Sequence, residues 1–309
     1  MMEKAEEYYR EALWANEIGE FGKAYEFHLK AFEENPHFTW TVLRKEHTNF
    51  NYEYKPVEEV KIINCSLCGK KGNPHWVYSM LGNKNFIESF SPVRMWYKCE
   101  SCRHLFAHNY PKNILEILNR NEESLYIKPD VFRFAPASII VTRIIKQLDK
   151  KGKWLDVGFG AGDMLLVLEE YGIDAVGIDL SSKYVNNFKK YESKLEVFHK
   201  NFETEELDEY GVVLMGDVLE HFIDPRKAIK KVYQILEEKG TLWISTPNFE
   251  SGIAKFLRHA DPMRKVCEHL NYFSYYSLSK LLIEEGFEIK DYHLSEIVPG
   301  GMEIIARKI

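Results

Sequence analysis

The chain has 309 residues, enough for about two domains at roughly 150 residues each. Its composition, with 45% hydrophobic and 28% charged residues, excludes a disordered protein. The net charge of −6 excludes an overall basic field for nucleic acid, although residues 61–110 have seven Lys/Arg against two Glu. No apolar run reaches the roughly 18 residues of a membrane span, and the polar start lacks a signal-peptide core. We therefore expect a cytoplasmic protein with no membrane partner.

Residues 1–47 form the first predicted segment, a helical hairpin with a break at Gly19 to Gly22. Small residues at Gly19, Ala24 and Ala31, followed by Pro36, resemble a single tetratricopeptide unit; a plain helical hairpin is the alternative. One such hairpin cannot bury its apolar face alone. We expect it to pack on the rest of the chain or on a protein partner.

Residues 48–60 lack helical periodicity and are interpreted as a linker to a cysteine-rich segment, 61–110. That segment holds two C-x-x-C pairs separated by 30 residues: Cys65, Cys68, Cys99 and Cys102. Each pair can present two thiolates on one tight turn, and a β-hairpin over residues 75–98 can bring the turns together. Four thiolates complete a closed, structural Zn²⁺ site, a zinc ribbon, whereas redox dithiols are the alternative. The isolated Cys267 is expected to be inert.

Helices are predicted at 112–120 and 135–149, and short apolar runs then alternate with amphipathic helices. The strands are predicted at 153–157, 174–178, 195–199, 211–216, 240–245, 288–295 and 302–308, and the helices at 161–171, 181–191, 224–237 and 277–286. This alternation predicts an α/β fold with a mostly parallel sheet. The last two strands leave no room for a helix between them and should pair antiparallel.

A glycine loop follows the first of these strands, in the run Trp154 to Asp163. Its three alternating glycines let a ligand approach the backbone at a helix start. Asp179 ends the next strand, 21 residues after Gly158, where an acid can bind a ribose diol. The spacing is G-x-G-x-G rather than the G-x-G-x-x-G of dinucleotide sites, and Asp156 would repel a pyrophosphate but accept from an ammonium. The loop therefore favours S-adenosylmethionine over a nicotinamide dinucleotide.

With these motifs, residues 153–309 resemble class I S-adenosylmethionine-dependent methyltransferases, in the branch of the ubiquinone-biosynthesis O-methyltransferases. Further matches are the runs Val213–His221 and Leu242–Asn248, and His269 to Ser274. The resemblance implies a Rossmann-like, seven-stranded sheet with an antiparallel final strand, within a domain at 111–309. A zinc module ahead of such a core also resembles deoxysugar C-methyltransferases, although their pattern does not include the N-terminal hairpin.

The resemblance also implies the residues that bind the cofactor: Asp156, Gly158, Phe159, Gly160, Gly162, Asp179, Leu180, Asn201, Phe202 and Asp217. Asn201 stands where the family usually has an acid at the adenine. His269 stands where the branch places an active-site histidine, in a long insertion (249–273) after the fifth strand. It is the candidate general base, and a packing role for its side chain is the alternative. Glu220 and His221 are candidates for a divalent ion or for organising their loop.

Three functions remain open. The first is methyl transfer to a polar small molecule such as a sugar or nucleotide-sugar. The second is methyl transfer to RNA or protein gripped by the basic zinc module, although that module lacks a run of adjacent Lys/Arg. The third is a non-catalytic scaffold. Other segments expected to reach the acceptor are Asp217 to His221 and the lead-in from Tyr126 to Phe134. There Arg133 is a candidate contact for the cofactor carboxylate or the substrate, and an ordinary surface arginine is the alternative.

Overall fold

The computed structural model describes residues 2–120, 128–149 and 152–309, so that Tyr126 of the predicted lead-in lies outside the described residues. The elements up to residue 111 are, in chain order, α1 (Met2–Glu17), α2 (Phe21–Glu34), α3 (Thr39–Val42), β1 (Glu59–Lys61), β2 (Asn73–Ser79), β3 (Val93–Lys98), β4 (Leu105–Ala107) and β5 (Asn109–Pro111).

The remaining elements contain the predicted α/β alternation. They are α4 (Ile114–Arg120), α5 (Val131–Lys146), β6 (Trp154–Val157), α6 (Asp163–Glu170), β7 (Ala175–Asp179), α7 (Ser182–Phe188), β8 (Glu196–His199), β9 (Tyr210–Gly216), α8 (Pro225–Ile235), β10 (Leu236–Pro247), α9 (Gly252–Leu257), β11 (Asn271–Tyr272), α10 (Tyr275–Glu284), β12 (Phe287–Leu294) and β13 (Gly301–Lys308). None of the helices in the described residues combines the length and apolar character that a membrane span requires.

The described chain groups into two compact units. The first comprises Met1–Ile114 and Leu257–Tyr272, and the second comprises Leu115–Phe256 and Phe273–Ile309. The hairpin and the cysteine-rich segment, which the sequence divides at 48–60, therefore lie in one unit. The segment Leu257–Tyr272, which the sequence places inside the 111–309 domain, joins the first unit because β11 pairs antiparallel with β4.

The first unit is built on a sheet with the strand order β11-β4-β3-β2. Strands β2 and β3 pair antiparallel, which confirms the hairpin predicted over residues 75–98. The N-terminal hairpin packs on this sheet: the side-chain amide of Asn16 donates to Val77 O (3.0 Å) and accepts from Val77 N (3.1 Å). Asn16 thus satisfies the backbone N–H and C=O of Val77 on the edge strand β2. The buried apolar side chains of α2 lie within the chain, whereas Leu13, Trp14 and Ile18 stay exposed. The hairpin therefore packs on the rest of the chain, the first of the two expected alternatives.

The second unit contains a seven-stranded sheet with the order β12-β13-β10-β9-β6-β7-β8. Strands β6 to β10 pair in parallel, whereas β13 pairs antiparallel with both β10 and β12. The predicted Rossmann-like sheet and its antiparallel final strand are confirmed. Strand β6 is buried along its whole length and β9 along all but its last residue, as expected for central strands of a parallel sheet.

Helix α5 begins at Val131, four residues before its predicted start at residue 135. Asp130 caps the helix, since its side chain accepts from the backbone N–H of Phe132. Pro136 lies inside the helix near its start and does not end it. The cap, which the apolar periodicity does not show, therefore sets the start of this helix.

Candidate functional site

The glycine loop connects β6 to α6 in a backbone conformation that its glycines make accessible. Gly158, Gly160 and Gly162 all have positive φ angles, of 68°, 55° and 93°. A Cβ on Gly158 would lie 2.4 Å from Val218 Cγ2, and one on Gly162 would lie 2.3 Å from Phe188 Cδ2. Both the backbone angle and the neighbouring side chains therefore require glycine at these two positions.

Asp179 ends β7 beside this loop, as the sequence predicts. Its Oδ2 accepts from the backbone N–H of Gly160 at 3.0 Å, and its Oδ1 accepts from Ser181 N at 2.7 Å. Burial raises the pKa of this carboxyl, while the two backbone hydrogen bonds oppose that shift. Because a carboxylate offers about four lone pairs, both oxygens retain capacity for ligand hydroxyls.

Asp156 lies in β6, directly before the loop, and its side chain is buried. Burial, followed by the charges of Asp179 and Asp163, raises the pKa of its carboxyl to about 7. Three acidic groups around one loop would oppose a pyrophosphate and stabilise a cation. These three carboxyl groups therefore suit the positively charged ammonium and sulfonium groups of S-adenosylmethionine.

Asp163, the first residue of α6, connects the loop to the start of α5. Its Oδ1 accepts from Asp130 N at 2.6 Å, and its Oδ2 lies 4.0 Å from the Arg133 Nη1. Burial raises the pKa of the Asp163 carboxyl. Arg133 thus contacts an acid of the glycine loop. From the sequence, Arg133 is expected only as a contact for the cofactor carboxylate or the substrate, or as an ordinary surface residue.

The residues predicted at the adenine follow β8. The Asn201 side-chain carbonyl accepts from the backbone N–H of Glu203 at 2.9 Å, which fixes its turn. Phe202 is buried and packs edge-on against Phe222, with ring centroids 5.9 Å apart. Leu180, after β7, accepts from His199 Nε2 through its backbone oxygen at 2.9 Å. Phe159 of the loop is buried and packs edge-on against Phe188.

Asp217 follows β9 and has a positive φ of 52°, a strained conformation for a residue with a side chain. Its backbone N–H donates to Ser245 O at 2.9 Å, and its Oδ1 accepts from Ser245 Oγ at 3.1 Å. Nearby, Glu220 Oε2 accepts from Thr246 Oγ1 at 3.0 Å. Burial raises the pKa of both carboxyls, that of Glu220 well above its ordinary value, and the charge of Asp217 adds to the latter shift.

His269 belongs to the first unit, whereas the predicted cofactor residues belong to the second. Its imidazole is buried, and Nδ1 lies 3.2 Å from the Met263 carbonyl. A carbonyl only accepts, so Nδ1 donates and the lone pair of the neutral ring lies on Nε2. His269 O accepts from Arg94 Nη1 at 2.7 Å. The tautomer is therefore the one in which Nε2 can take a proton.

The four predicted cysteines converge in the first unit, with their sulfurs within 4.8 Å of one another. The pairs Cys65–Cys102 and Cys68–Cys99 have Sγ atoms 3.5 Å apart, and the thiols form no disulfide. Tetrahedral Zn–S bonds of about 2.3 Å require sulfurs about 3.8 Å apart. The cluster therefore fits a zinc ion with small adjustments.

The two turns that hold these cysteines have the same backbone design. Cys65 N donates to Lys70 O at 2.8 Å, and Cys99 N donates to His104 O at 2.9 Å. Gly69 and Arg103, each directly after the second cysteine of its pair, have positive φ. We call these turns the two cysteine knuckles, residues 65–70 and 99–104. The fifth cysteine, Cys267, has a pKa raised by burial to about 11 and is a protonated, weak nucleophile at neutral pH.

Comparisons with known proteins show which family and which fold this chain resembles. A family model described as "Methyltransferase domain" matches residues 130–292. The chain is 33% identical over 103 residues to the ubiquinone biosynthesis O-methyltransferase of Methylococcus capsulatus, a match of 31% of this chain and 44% of that protein. It is 30% identical over 174 residues to the protein of the same name from Pelagibacter ubique, a match of 54% of this chain and 65% of that protein.

Among solved structures, the fold is similar to that of the magnesium protoporphyrin IX methyltransferase of Synechocystis with bound SAH, with a TM-score of 0.52. That likeness has 14% sequence identity and covers 63% of this chain and 98% of the other. The chain spans about half the length of the first curated relatives that it matches. The family model thus covers the part with the glycine loop, and the solved structure supports its fold.

Proposed function

The chain belongs to the methyltransferase-domain family, and we propose that it transfers a methyl group from S-adenosylmethionine to a polar small molecule, such as a sugar or nucleotide-sugar. The observation that carries this proposal is the contact between Asp179 and the Gly160 N–H, beside the buried Asp156. This arrangement combines a carboxylate that can accept from a ribose diol with an acidic environment for a cation. It suits an adenosine linked to an amino acid.

In this proposal, Asp179 accepts from the ribose hydroxyls and Asp156 accepts from the cofactor ammonium. The other residues proposed to line the cofactor are Gly158, Phe159, Gly160, Gly162, Leu180, Asn201, Phe202 and Asp217. When bound, S-adenosylmethionine supplies a methyl group on a sulfonium sulfur, a leaving group that needs no further activation. The chain must then orient the acceptor, exclude water and, for a hydroxyl or carbon acceptor, remove a proton.

We propose His269 as the residue that removes this proton, through Nε2. The Nδ1 contact with the Met263 carbonyl supports this role because it leaves the basic lone pair on Nε2. The name that the curated relatives share, ubiquinone biosynthesis O-methyltransferase, supports an oxygen atom as the acceptor. A neutral imidazole is a suitable base for an acceptor hydroxyl at neutral pH.

We further propose that Cys65, Cys68, Cys99 and Cys102 hold one structural Zn²⁺. Three of these thiols are buried and Cys68 is half-buried, and even at Cys68 burial raises the pKa to about 11, so the thiols are costly to ionise without a cation. A zinc ion would keep all four as thiolates and join the two knuckles. Four sulfur ligands leave no position for a substrate, so this centre would support the fold and take no part in methyl transfer.

The proposal is tested by incubating the full chain with radiolabelled S-adenosylmethionine and fractionated cell extract. Label in a small, polar fraction that depends on the protein would support the proposal. Label only in RNA or protein would favour the macromolecular alternative. No cofactor binding by calorimetry would leave only the non-catalytic scaffold and contradict the proposal. The Asp179→Ala variant provides the control for contaminating activity.

A further inference from the structure

The side chain of Asn271 contacts both cysteine knuckles within the first unit. Ser66, between Cys65 and Cys68, donates from Oγ to Asn271 Oδ1 at 2.9 Å. His104, in the other knuckle, lies with Nε2 3.0 Å from the same oxygen and donates to it. Asn271 is only 2% exposed, so these hydrogen bonds are shielded from water. A single buried oxygen is thus held by both halves of the four-cysteine centre.

The chain immediately before Asn271 is held by the same sheet. Arg94 of β3 is buried and donates from Nη1 to His269 O (2.7 Å) and from Nη2 to Cys267 O (2.8 Å). Ala107 N donates to Leu270 O at 2.8 Å. Strand β3 leads directly into Cys99, the first cysteine of the second knuckle. The backbone from Cys267 to Asn271 is therefore attached to the sheet that holds the cysteines.

We propose that Asn271 is a positioning residue that couples the four-cysteine centre to the His269 imidazole. This inference rests on the proposed function for the meaning of His269, but the coupling itself concerns only the first unit. The two knuckles are 30 residues apart in sequence, and a shared metal would hold them at one distance. Without the metal they are free to separate, and Ser66 and His104 can no longer both reach Asn271 Oδ1. The segment 266–271 then loosens, and His269 loses its fixed orientation.

Hydrogen exchange followed by mass spectrometry tests this coupling on the full chain. In the wild type, removing zinc with a chelator should raise exchange of the amides of 266–271 by about tenfold, as expected for the loss of two buried hydrogen bonds. In Asn271→Leu, exchange of this segment should already be raised with zinc bound, and the chelator should add little. Asn16→Leu is the matched control, because it removes a buried asparagine of the same unit that contacts Val77 and neither knuckle. It should respond to the chelator as the wild type does.

Coupling between two sites is reciprocal. If zinc slows amide exchange of residues 266–271 by about tenfold, Asn271→Leu should weaken zinc binding by about the same factor. Competition with a chromophoric chelator measures this affinity. If Asn271→Leu does not fold, Ser66→Ala removes one of the two hydrogen bonds, and Ser66→Thr should restore it. The NMR signal of the His269 ring should shift on zinc removal, whereas that of the buried His28 should not.

The proposal is wrong if the chelator loosens residues 61–110 and leaves exchange of 266–271 and the His269 signal unchanged. It is also wrong if Asn271→Leu binds zinc as tightly as the wild type. Failure of the proposed function looks different: His269→Ala would then leave methyl transfer unaffected, while zinc would still protect 266–271. The two proposals can therefore fail separately.

Discussion

The Asp179 carboxylate accepts a hydrogen bond from the backbone N–H of Gly160, with an Oδ2···N distance of 3.0 Å. This contact joins the end of β7 to the glycine loop, across 19 residues of sequence. In the proposed function, this carboxylate accepts from the ribose hydroxyls of the cofactor. Binding of the cofactor should therefore depend on this carboxylate.

Asp179→Ala should weaken binding of S-adenosylmethionine by about tenfold or more, because hydrogen bonds to charged groups contribute roughly 1.5–3 kcal/mol each. Isothermal titration calorimetry measures the affinity. Asp174→Ala is the matched control, since Asp174 is exposed and precedes the other end of β7. Equal affinities for both variants and the wild type would show that the ribose is not bound at Asp179.

The affinity for S-adenosylmethionine should increase as the pH rises towards 7. Burial and the neighbouring acids raise the pKa of Asp156 to about 7, so in the free protein this carboxyl is largely protonated below pH 7. A bound ammonium favours the ionised carboxylate, so binding should release a proton. The affinity should fall again above about pH 8, where the amino group of the ligand loses its proton.

Calorimetry in buffers of different ionisation enthalpy measures this proton release, and Asp156→Asn should abolish it. The raised pKa of Asp156 also affects the folding stability of the free protein, which should fall as the pH rises, whereas the affinity for the cofactor increases. Because the folded pKa of Asp156 lies above its ordinary 3.8, this residue's contribution to stability is fully present below about pH 4 and is lost as the pH rises towards 7. Proton uptake on binding, or an affinity independent of pH, would contradict the role proposed for Asp156.

Gly162→Ala should destabilise the second unit and weaken cofactor binding. The alanine would have to adopt a backbone φ of 93°, which is unfavourable for a residue with a side chain, and its Cβ would lie 2.3 Å from the Phe188 ring. Gly172→Ala is the control, because Gly172 also has a positive φ, of 66°, but a Cβ added there would have no heavy atom within 4 Å. The positive φ should lower the free energy of unfolding, measured with urea, by about 1–2 kcal/mol in each variant. The contact with Phe188 should make the loss larger in Gly162→Ala than in Gly172→Ala. Equal losses would mean that Phe188 moves aside freely.

The purified protein should contain one zinc ion per chain. Cys68→Ser should lower this content and loosen residues 61–110, while cofactor binding by the second unit should persist. Cys267→Ser is the control, since this buried thiol is not among the four clustered sulfurs. Elemental analysis and thiol titration give the stoichiometry. Four reactive thiols and no zinc in a folded protein would exclude the zinc site.

His269→Ala should lower kcat by about 10²–10⁴ while the Kd for S-adenosylmethionine stays within a few-fold. A base acts on the acceptor and not on the cofactor, which is why the two quantities should separate. His28→Ala, at a buried histidine of α2, controls for a general loss of stability. An unchanged kcat with a lowered free energy of unfolding would make His269 a packing residue.

The sequence by itself determined the sheet of the second unit, the glycine loop with its acid, and the four metal-ligand candidates. These features depend on local spacing: apolar runs of strand length, glycines at a turn, and cysteines two residues apart. The expected hairpin over 75–98 followed from the separation of the two cysteine pairs, and the antiparallel pairing of β12 with β13 followed from the short connection between them.

Only the tertiary structure decided what the segment Leu257–Tyr272 does. It joins the first unit through β11, and its Asn271 meets Ser66 and His104, which lie 205 and 167 residues away in sequence. The docking of the N-terminal hairpin through Asn16 and Val77, 61 residues apart, was likewise one of two open alternatives. Periodicity and motif spacing report contacts within one element or turn. A hydrogen bond between distant residues is fixed by the packing of whole elements, and no local pattern records it.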